Sequence, residues 1–341
     1  MNAFEYNQKL LKDLKPSMAY DGGDLKKWQK TVKVKLCELL GMDKFTKVEP
    51  KLEIEYETKI DGATEIRFTF ESEDGYRVPC HLLLPDGVDN PPVMICLQGH
   101  TTGMHISLGR AKTGEGYERD QWRIDNRDSD FCVRAVKEGF AAIALEERNF
   151  GEKGYHSAPW PECHNEALTA FLMGRTTIGG RIWDVDRLID VLESDFSDRV
   201  DVKTICLMGN SGGGTATAYA AAIEDRLALA MPSCAMCSFK DSIGWFKHCD
   251  CNYVPGMAPY FTMGDVMAMA CPKFFVQVSG VEDPTFLIDG AVEVYEEGRR
   301  AYTDSGNGDR CALVKGDIPG NGGHRFYADD AWPVVHKLIG R

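Results

Sequence analysis

At 341 residues the chain can bury a large core, as one big α/β domain or two ordinary ones, and its composition is that of a soluble globular protein. The formal net charge of -13 excludes a nucleic-acid partner or an anionic-membrane surface, because a polyanion requires clustered Lys and Arg. No window approaches a membrane span, and Met1-Asn2-Ala3-Phe4-Glu5-Tyr6-Asn7 has no basic segment followed by an apolar run, so a cytoplasmic location is expected. The twelve cysteines are scattered through expected core strands (Cys80, Cys96, Cys206, Cys271), which favours reduced, buried thiols over a disulfide framework.

Residues 1–50 read as an N-terminal helical extension. Trp28, Val32, Leu36 and Leu40 recur at helical spacing and Gly41 is the stop, giving a stripe to pack on the core or on a partner subunit of a homo-oligomer. From residue 51 the period changes to two. Leu52 to Tyr56, Glu65 to Phe70 and Arg77 to Leu84 alternate as half-buried antiparallel strands, with Asp74-Gly75 as the turn between the last two. Val93 to Leu97 is continuously apolar, as a strand covered on both faces would be. Helices and strands then alternate through a helix near Phe131 to Glu138, a strand Phe140 to Leu145, a helix near Ile182 to Leu192 and a strand Thr204 to Met208 with a helix after it. A strand Leu227 to Met231, a strand Phe274 to Ser279, a helix near Leu287 to Arg299, a strand Cys311 to Lys315 and a helix near Asp330 to Leu338 follow. This order specifies an α/β domain over 51–341, with antiparallel N-terminal strands, a mostly parallel central sheet and helices on both faces. Two stretches, about 101–129 and 232–270, are too long for simple connections and read as insertions over the site.

Gly209-Asn210-Ser211-Gly212-Gly213 lies between the strand ending at Met208 and the small-residue helix Thr215 to Ile223. A serine lifted on such a turn tolerates no bulk two residues before or after it, so Ser211 reads as a nucleophile. A serine hydroxyl needs a histidine base, and that histidine needs a carboxylate to fix its tautomer. Of the histidines after Ser211, His336 falls in the terminal helix and His248 in an insertion, whereas His324 follows the last strand in Gly322-Gly323-His324-Arg325-Phe326. The acid belongs beyond the preceding strand, in Val281-Glu282-Asp283-Pro284, where the proline restrains the loop and favours Asp283 over Glu282. The oxyanion donors are the backbone of Gly212 and, in Gln98-Gly99-His100-Thr101, the backbone of His100.

These three motifs in this order resemble the α/β-hydrolase superfamily, in its dienelactone-hydrolase and acetyl-xylan-esterase-like branch, which is related to prolyl-oligopeptidase catalytic domains. Trp183-Asp184-Val185-Asp186-Arg187 and His248-Cys249-Asp250-Cys251-Asn252 are further matching stretches. The resemblance implies serine-dependent hydrolysis of a small-molecule carboxylic ester, often an acetylated carbohydrate, with amide and lactone cleavage as alternatives for the same triad. Two departures stand out: Gln98-Gly99-His100 replaces the commoner His-Gly pair, and Glu146 stands where relatives usually carry Asp.

Among the aromatics, Trp183, Trp245 and Tyr253, with Trp160 and Tyr260, are candidates for a sugar-stacking wall. Cys234, Cys237, His248, Cys249 and Cys251 offer enough ligands for zinc, but their spacing reads as coincidence in a cysteine-rich chain, so no metal and no cofactor is expected. The glycine-rich Gly174 to Gly180 lacks the spacing of a nucleotide cradle. Gly109 to Asp125, a charged stretch, reads as a solvated loop placed to gate substrate.

Overall fold

The computed structural model describes the whole chain except residues 155–160, 246, 321–322 and 341. The period-two segments fold as a meander, β1 (Glu53–Ile60), β2 (Ala63–Glu73) and β3 (Tyr76–Pro85), each antiparallel to the next. β1 departs from the half-buried expectation. It is the edge strand, and Ile54 and Tyr56 remain 50% and 42% exposed amid charged neighbours that guard the edge.

The apolar runs supply the interior of the sheet: β4 (Pro92–Leu97), β5 (Ala141–Leu145), β6 (Asp201–Asn210), β7 (Leu227–Ser233), β8 (Phe274–Gly280) and β9 (Cys311–Gly316). The strand order is β1-β2-β3-β5-β4-β6-β7-β8-β9, and every pair from β5 onward is parallel. β6 therefore lies near the middle, flanked by β4 and β7, and its C-terminal end faces the crevice where parallel sheets bind ligands.

The helices are α1 (Ala3–Asp13), α2 (Leu25–Leu40), α3 (Asp120–Arg127), α4 (Phe131–Lys137), α5 (His164–Leu172), α6 (Thr177–Asp195), α7 (Gly212–Ile223), α8 (Met263–Ala270), α9 (Ile288–Asp304) and α10 (Ala328–Ile339). On one face of the sheet, α2, α6, α7, α8 and α9 share an apolar core that includes Leu36, Ile182, Ala218, Met267 and Tyr302. On the other, α4 and α10 pack Phe131 and Trp332 against Met94, Met208 and Val278. The stripe of the extension works as expected, because Val32, Leu36 and Leu40 of α2 are buried in the first core and Gly41 (φ 73) ends the helix. The glycine-rich segment that runs into α6 has a packing role: the Thr176 hydroxyl caps the helix, and a Cβ on Gly179 in its first turn would lie 2.2 Å from the Leu40 carbonyl. The insertions carry α3 and α8, and α5 is a helix that hydrophobic period alone did not reveal.

Candidate active site

Ser211 occupies the turn between β6 and α7 with φ 57 and ψ -117, a conformation an L-residue adopts only under constraint. The constraint is steric and tight. A Cβ on Gly209 would lie 2.4 Å from the Gly213 backbone, and one on Gly213 would lie 2.5 Å from the carbonyls of Leu97 and Gln98. Backbone bonds fix the turn on both sides: Ser211 N–H donates to the Ser233 carbonyl at 2.8 Å, and Thr215 N–H donates to the Ser211 carbonyl at 2.8 Å.

Asp283, just past β8, is 2% exposed, and its Oδ2 lies 2.8 Å from His324 Nδ1. Its other oxygen accepts from the Thr285 amide and hydroxyl, both at 2.8 Å, and from the Phe286 amide at 3.1 Å. Burial works to raise the Asp283 carboxyl, but the His324 charge and hydrogen bond together with the Thr285 donors outweigh it and hold the group below its usual range. With Nδ1 directed at the carboxylate, Nε2 of His324 is the nitrogen left for a reacting group. The imidazole is braced by Phe286, stacked at 5.9 Å with planes 13° apart, and by Arg127, whose guanidinium donates to the His324 carbonyl. Glu282 points elsewhere, toward the Gly320 amide at 3.2 Å. Of the other late histidines, His248 packs edge-on against Phe286, and His336 bonds Glu138 at 2.7 Å within the α4 and α10 layer.

The segment after β4 passes directly over the serine. A Cβ on Gly99 would lie 2.9 Å from Ser211 Cβ, and one on Gly212 would lie 3.0 Å from the His100 ring, so Gly212 and His100 are adjacent beside Ser211. The two departures noted in the sequence touch each other: Gln98 Nε2 donates to Glu146 Oε1 at 3.0 Å. Glu146 also accepts from the amides of Met104 and Glu152, and burial pushes its carboxyl up to about 7. A longer acid thus reaches a glutamine in place of a histidine, and the pair anchors the loop that carries Gly99 and His100.

Ser211 and His324 open onto a common cavity of about 250 Å³ whose far wall is α3, with Trp122 and the guanidinium groups of Arg119, Arg123 and Arg127. Arg119 and Arg127 lie over the Trp122 ring at 5.0 and 5.1 Å. Burial first, and the neighbouring Arg119 charge second, hold both Arg123 and Arg127 below the usual guanidinium value. In a chain with a net charge of -13, three arginines thus line this cavity, Arg123 standing 4.0 Å from the buried Asp120 carboxylate. The signal was present in the sequence as arginines four residues apart, which fall on one helix face. Behind Phe286 and His248 lies a second, apolar pocket of about 270 Å³, lined among others by Leu11 of α1, Tyr219, Tyr253 and Met257.

The proposed sugar-stacking wall is corrected in part. Trp183 lies half-buried on α6, stacked on Phe45 at 5.5 Å and donating to the Ser72 carbonyl at 2.8 Å, so its register on the helix turns it to these partners and not to the cavity beside Ser211. Trp245 is 55% exposed on a surface turn. Tyr253 does reach the apolar pocket, its hydroxyl donating to the Ile243 carbonyl. Tyr260 lies under the Lys35 ammonium, and Trp160 falls outside the described residues. The zinc candidates also separate: Cys234 and Cys237 bond backbone carbonyls behind Asp283, while Cys249 and Cys251 turn toward His100.

Residues 2–169 match the family model described as "Abhydrolase family", and residues 172–239 match that of "Glucuronyl esterase, fungi". A protein of Bacillus subtilis (strain 168) named "Putative hydrolase YtaP" is 22% identical over 244 residues, 70% of this chain and 76% of its own length. Among solved structures, one described as a putative acetyl xylan esterase from Bacteroides fragilis superposes with a TM-score of 0.79 at 14% identity, covering 100% of this chain and 95% of that one. A glucuronoyl esterase from Solibacter usitatus gives a TM-score of 0.65 at 16% identity, covering 96% and 97%. Together with the sheet order and the turn that carries Ser211, these matches show that the chain has the α/β-hydrolase fold.

Proposed function

We propose that this chain is a serine esterase that cleaves an esterified carbohydrate or similar small molecule through an acyl-enzyme. The observation that carries the reading is His324, held by Asp283 at 2.8 Å, on the same cavity as a serine at φ 57. Ser211 Oγ attacks the ester carbonyl as His324 Nε2 takes its proton. Asp283 holds the imidazole and stabilises its cationic form. The amides of Gly212 and His100 receive the oxyanion. His324 then returns the proton to the leaving alcohol, and water repeats the sequence on the acyl group. The names carried by the structural relatives support an ester of a sugar as substrate.

The cationic wall refines the substrate. Arg119, Arg123 and Arg127 favour an ester whose alcohol or acyl part bears a carboxylate, and the apolar pocket behind Phe286 accepts the uncharged end. Acetylated glucuronic acid and acetylated glucose, hydrolysed side by side, test this. The acid is expected to show a kcat/KM higher by about tenfold at low ionic strength, narrowing as salt screens the wall; equal values would remove the anion from the account. For the esterase reading itself, Ser211→Ala is expected to lower kcat/KM on a short aryl acetate by at least about a thousandfold, and residual turnover within tenfold of the parent would overturn it.

A further inference from the structure

Among the described residues outside the His324–Asp283 pair, one cluster of side chains has the composition and spacing of a metal centre. The ligand atoms of His100, Cys163, Cys249 and Cys251 all lie within 4.8 Å of one another. His100 Nε2 is 3.2 Å from Cys251 Sγ and 3.9 Å from Cys163 Sγ, and Cys249 Sγ is 3.4 Å from Cys251 Sγ. Two thiolates on one tetrahedral zinc, each about 2.3 Å from the ion, would stand about 3.8 Å apart. A disulfide would bring its sulfurs to about 2.05 Å, far inside the observed spacing, and all four groups converge rather than pairing off.

We propose that His100, Cys163, Cys249 and Cys251 bind one zinc ion in a structural, four-coordinate site. Three soft thiolates and an imidazole select zinc among the common divalent ions, and a fourth protein ligand leaves no open position for catalysis. The surroundings suit such a centre. Phe150 meets the His100 ring edge-on at 5.1 Å and packs with Cys163 and Cys251 in a small cluster of its own. The wholly buried Arg181 places its guanidinium 3.7 Å from Cys251 Sγ, a cation beside a ligand set that carries net negative charge once metallated. Its Nε also faces Glu147 across 3.5 Å.

The ligands come from three separate segments: the loop after β4, the N-terminal cap of α5, and the short turn Asp250–Asn252 that begins at Cys249. A metal would therefore tie the start of α5 and the Cys249 to Cys251 turn of the second insertion to the loop over Ser211, with the His100 ring fixed against Gly212. The proposal revises the expectation of no metal. The pairing could not be read from spacing, because only Cys249 and Cys251 are neighbours in the chain and their partners are assembled by the fold.

The test reads metal content, independently of any esterase activity. Full-length protein kept reduced, incubated with zinc and desalted, is expected to hold about one zinc per chain by elemental analysis. The double variant Cys249→Ser/Cys251→Ser, checked for folding by circular dichroism, is expected to fall below about a fifth of that. Cobalt loaded in place of zinc is expected to give the intense thiolate charge-transfer and visible bands of a tetrahedral sulfur site. Reduced wild-type protein that binds no zinc would overturn the proposal, as would a folded double variant that retains the metal. Intact-mass alkylation that finds Cys163, Cys249 or Cys251 joined in a disulfide after purification under reductant would overturn it too. Should the double variant fail to fold, the wild-type stoichiometry and the cobalt spectrum still decide.

Discussion

Ser211, Asp283 and His324 each stand just beyond the end of a parallel strand, β6, β8 and β9, whereas the residues that face them come from excursions between strands. The first group is set by the sheet. β6 lies between β4 and β7, and the turn is so tight that a Cβ at 209 would strike the start of α7 and one at 213 the carbonyls of Leu97 and Gln98 at the end of β4. The second group, the Gln98 to His100 loop, α3 with its arginines, and the Cys249 to Tyr253 segment, is held by side chains. Glu146 grips Gln98, Trp122 lies beneath two guanidiniums, and Cys251 meets His100. On the proposed function, the difference teaches that Ser211, Asp283 and His324 are placed by the sheet and their surroundings by removable side chains, so substitutions in the two regions should fail in different ways.

The largest effect short of removing the nucleophile is expected at Asp283. Asp283→Asn should reduce kcat/KM on an aryl acetate by about a hundredfold to ten-thousandfold with KM little changed, since the imidazole loses its orienting charge. The same variant has a stability signature. The folded-state carboxyl titrates below its usual range, so its contribution is present above about pH 4 and is lost as the pH falls through the folded value. Parent protein should therefore lose stability on acidification more steeply than Asp283→Asn, as measured by denaturant midpoints between pH 6 and about pH 3; parallel curves would detach Asp283 from His324.

Next comes the steric frame. Gly213→Ala places a methyl 2.5 Å from two carbonyls and should cost roughly 3 kcal/mol or more, read as a drop in melting temperature and in folded yield. A variant as stable as the parent would show that the elbow is slacker than the distances imply.

The cover is probed at Glu146. Its folded carboxyl is raised to about 7 by burial, against an ordinary value near 4.3 in the unfolded chain, so the folded state holds a proton over that interval. Stability is then full below about pH 4 and declines as the pH rises through about 7, by up to a few kcal/mol. Glu146→Gln should flatten this decline between pH 5 and pH 8, and an unchanged slope would contradict the assignment.

The smallest effect is expected at the exposed end of the arginine wall. Arg119→Ala should raise KM for an anionic ester by about threefold to tenfold and leave a neutral ester unaffected, because an exposed charge is screened by solvent and salt.

The same contrast explains what was legible beforehand. The change of period at residue 51, the apolar β4 and the strand and helix flanking Ser211 are local patterns, and they pointed to the fold class and to antiparallel strands leading into a parallel sheet without tertiary information. Asp283 and His324 were findable because the order of strands puts their loops at one end of the sheet. Trp183 misled because an aromatic on a helix has two faces to choose from, and Ser72 and Phe45 claimed it. β1 misled because alternation shows which residues could be buried, not whether a second layer covers that strand. His100 and Cys163 join Cys249 and Cys251 only through the packing of three loops, which no spacing rule anticipates.

The most direct measurement is active-site labelling followed by peptide mapping. Folded wild-type protein treated with a fluorophosphonate should gain one adduct, located on the Ser211 peptide, and Ser211→Ala of equal melting temperature should gain none. An adduct on another serine, or no adduct on the folded wild type, would contradict the account.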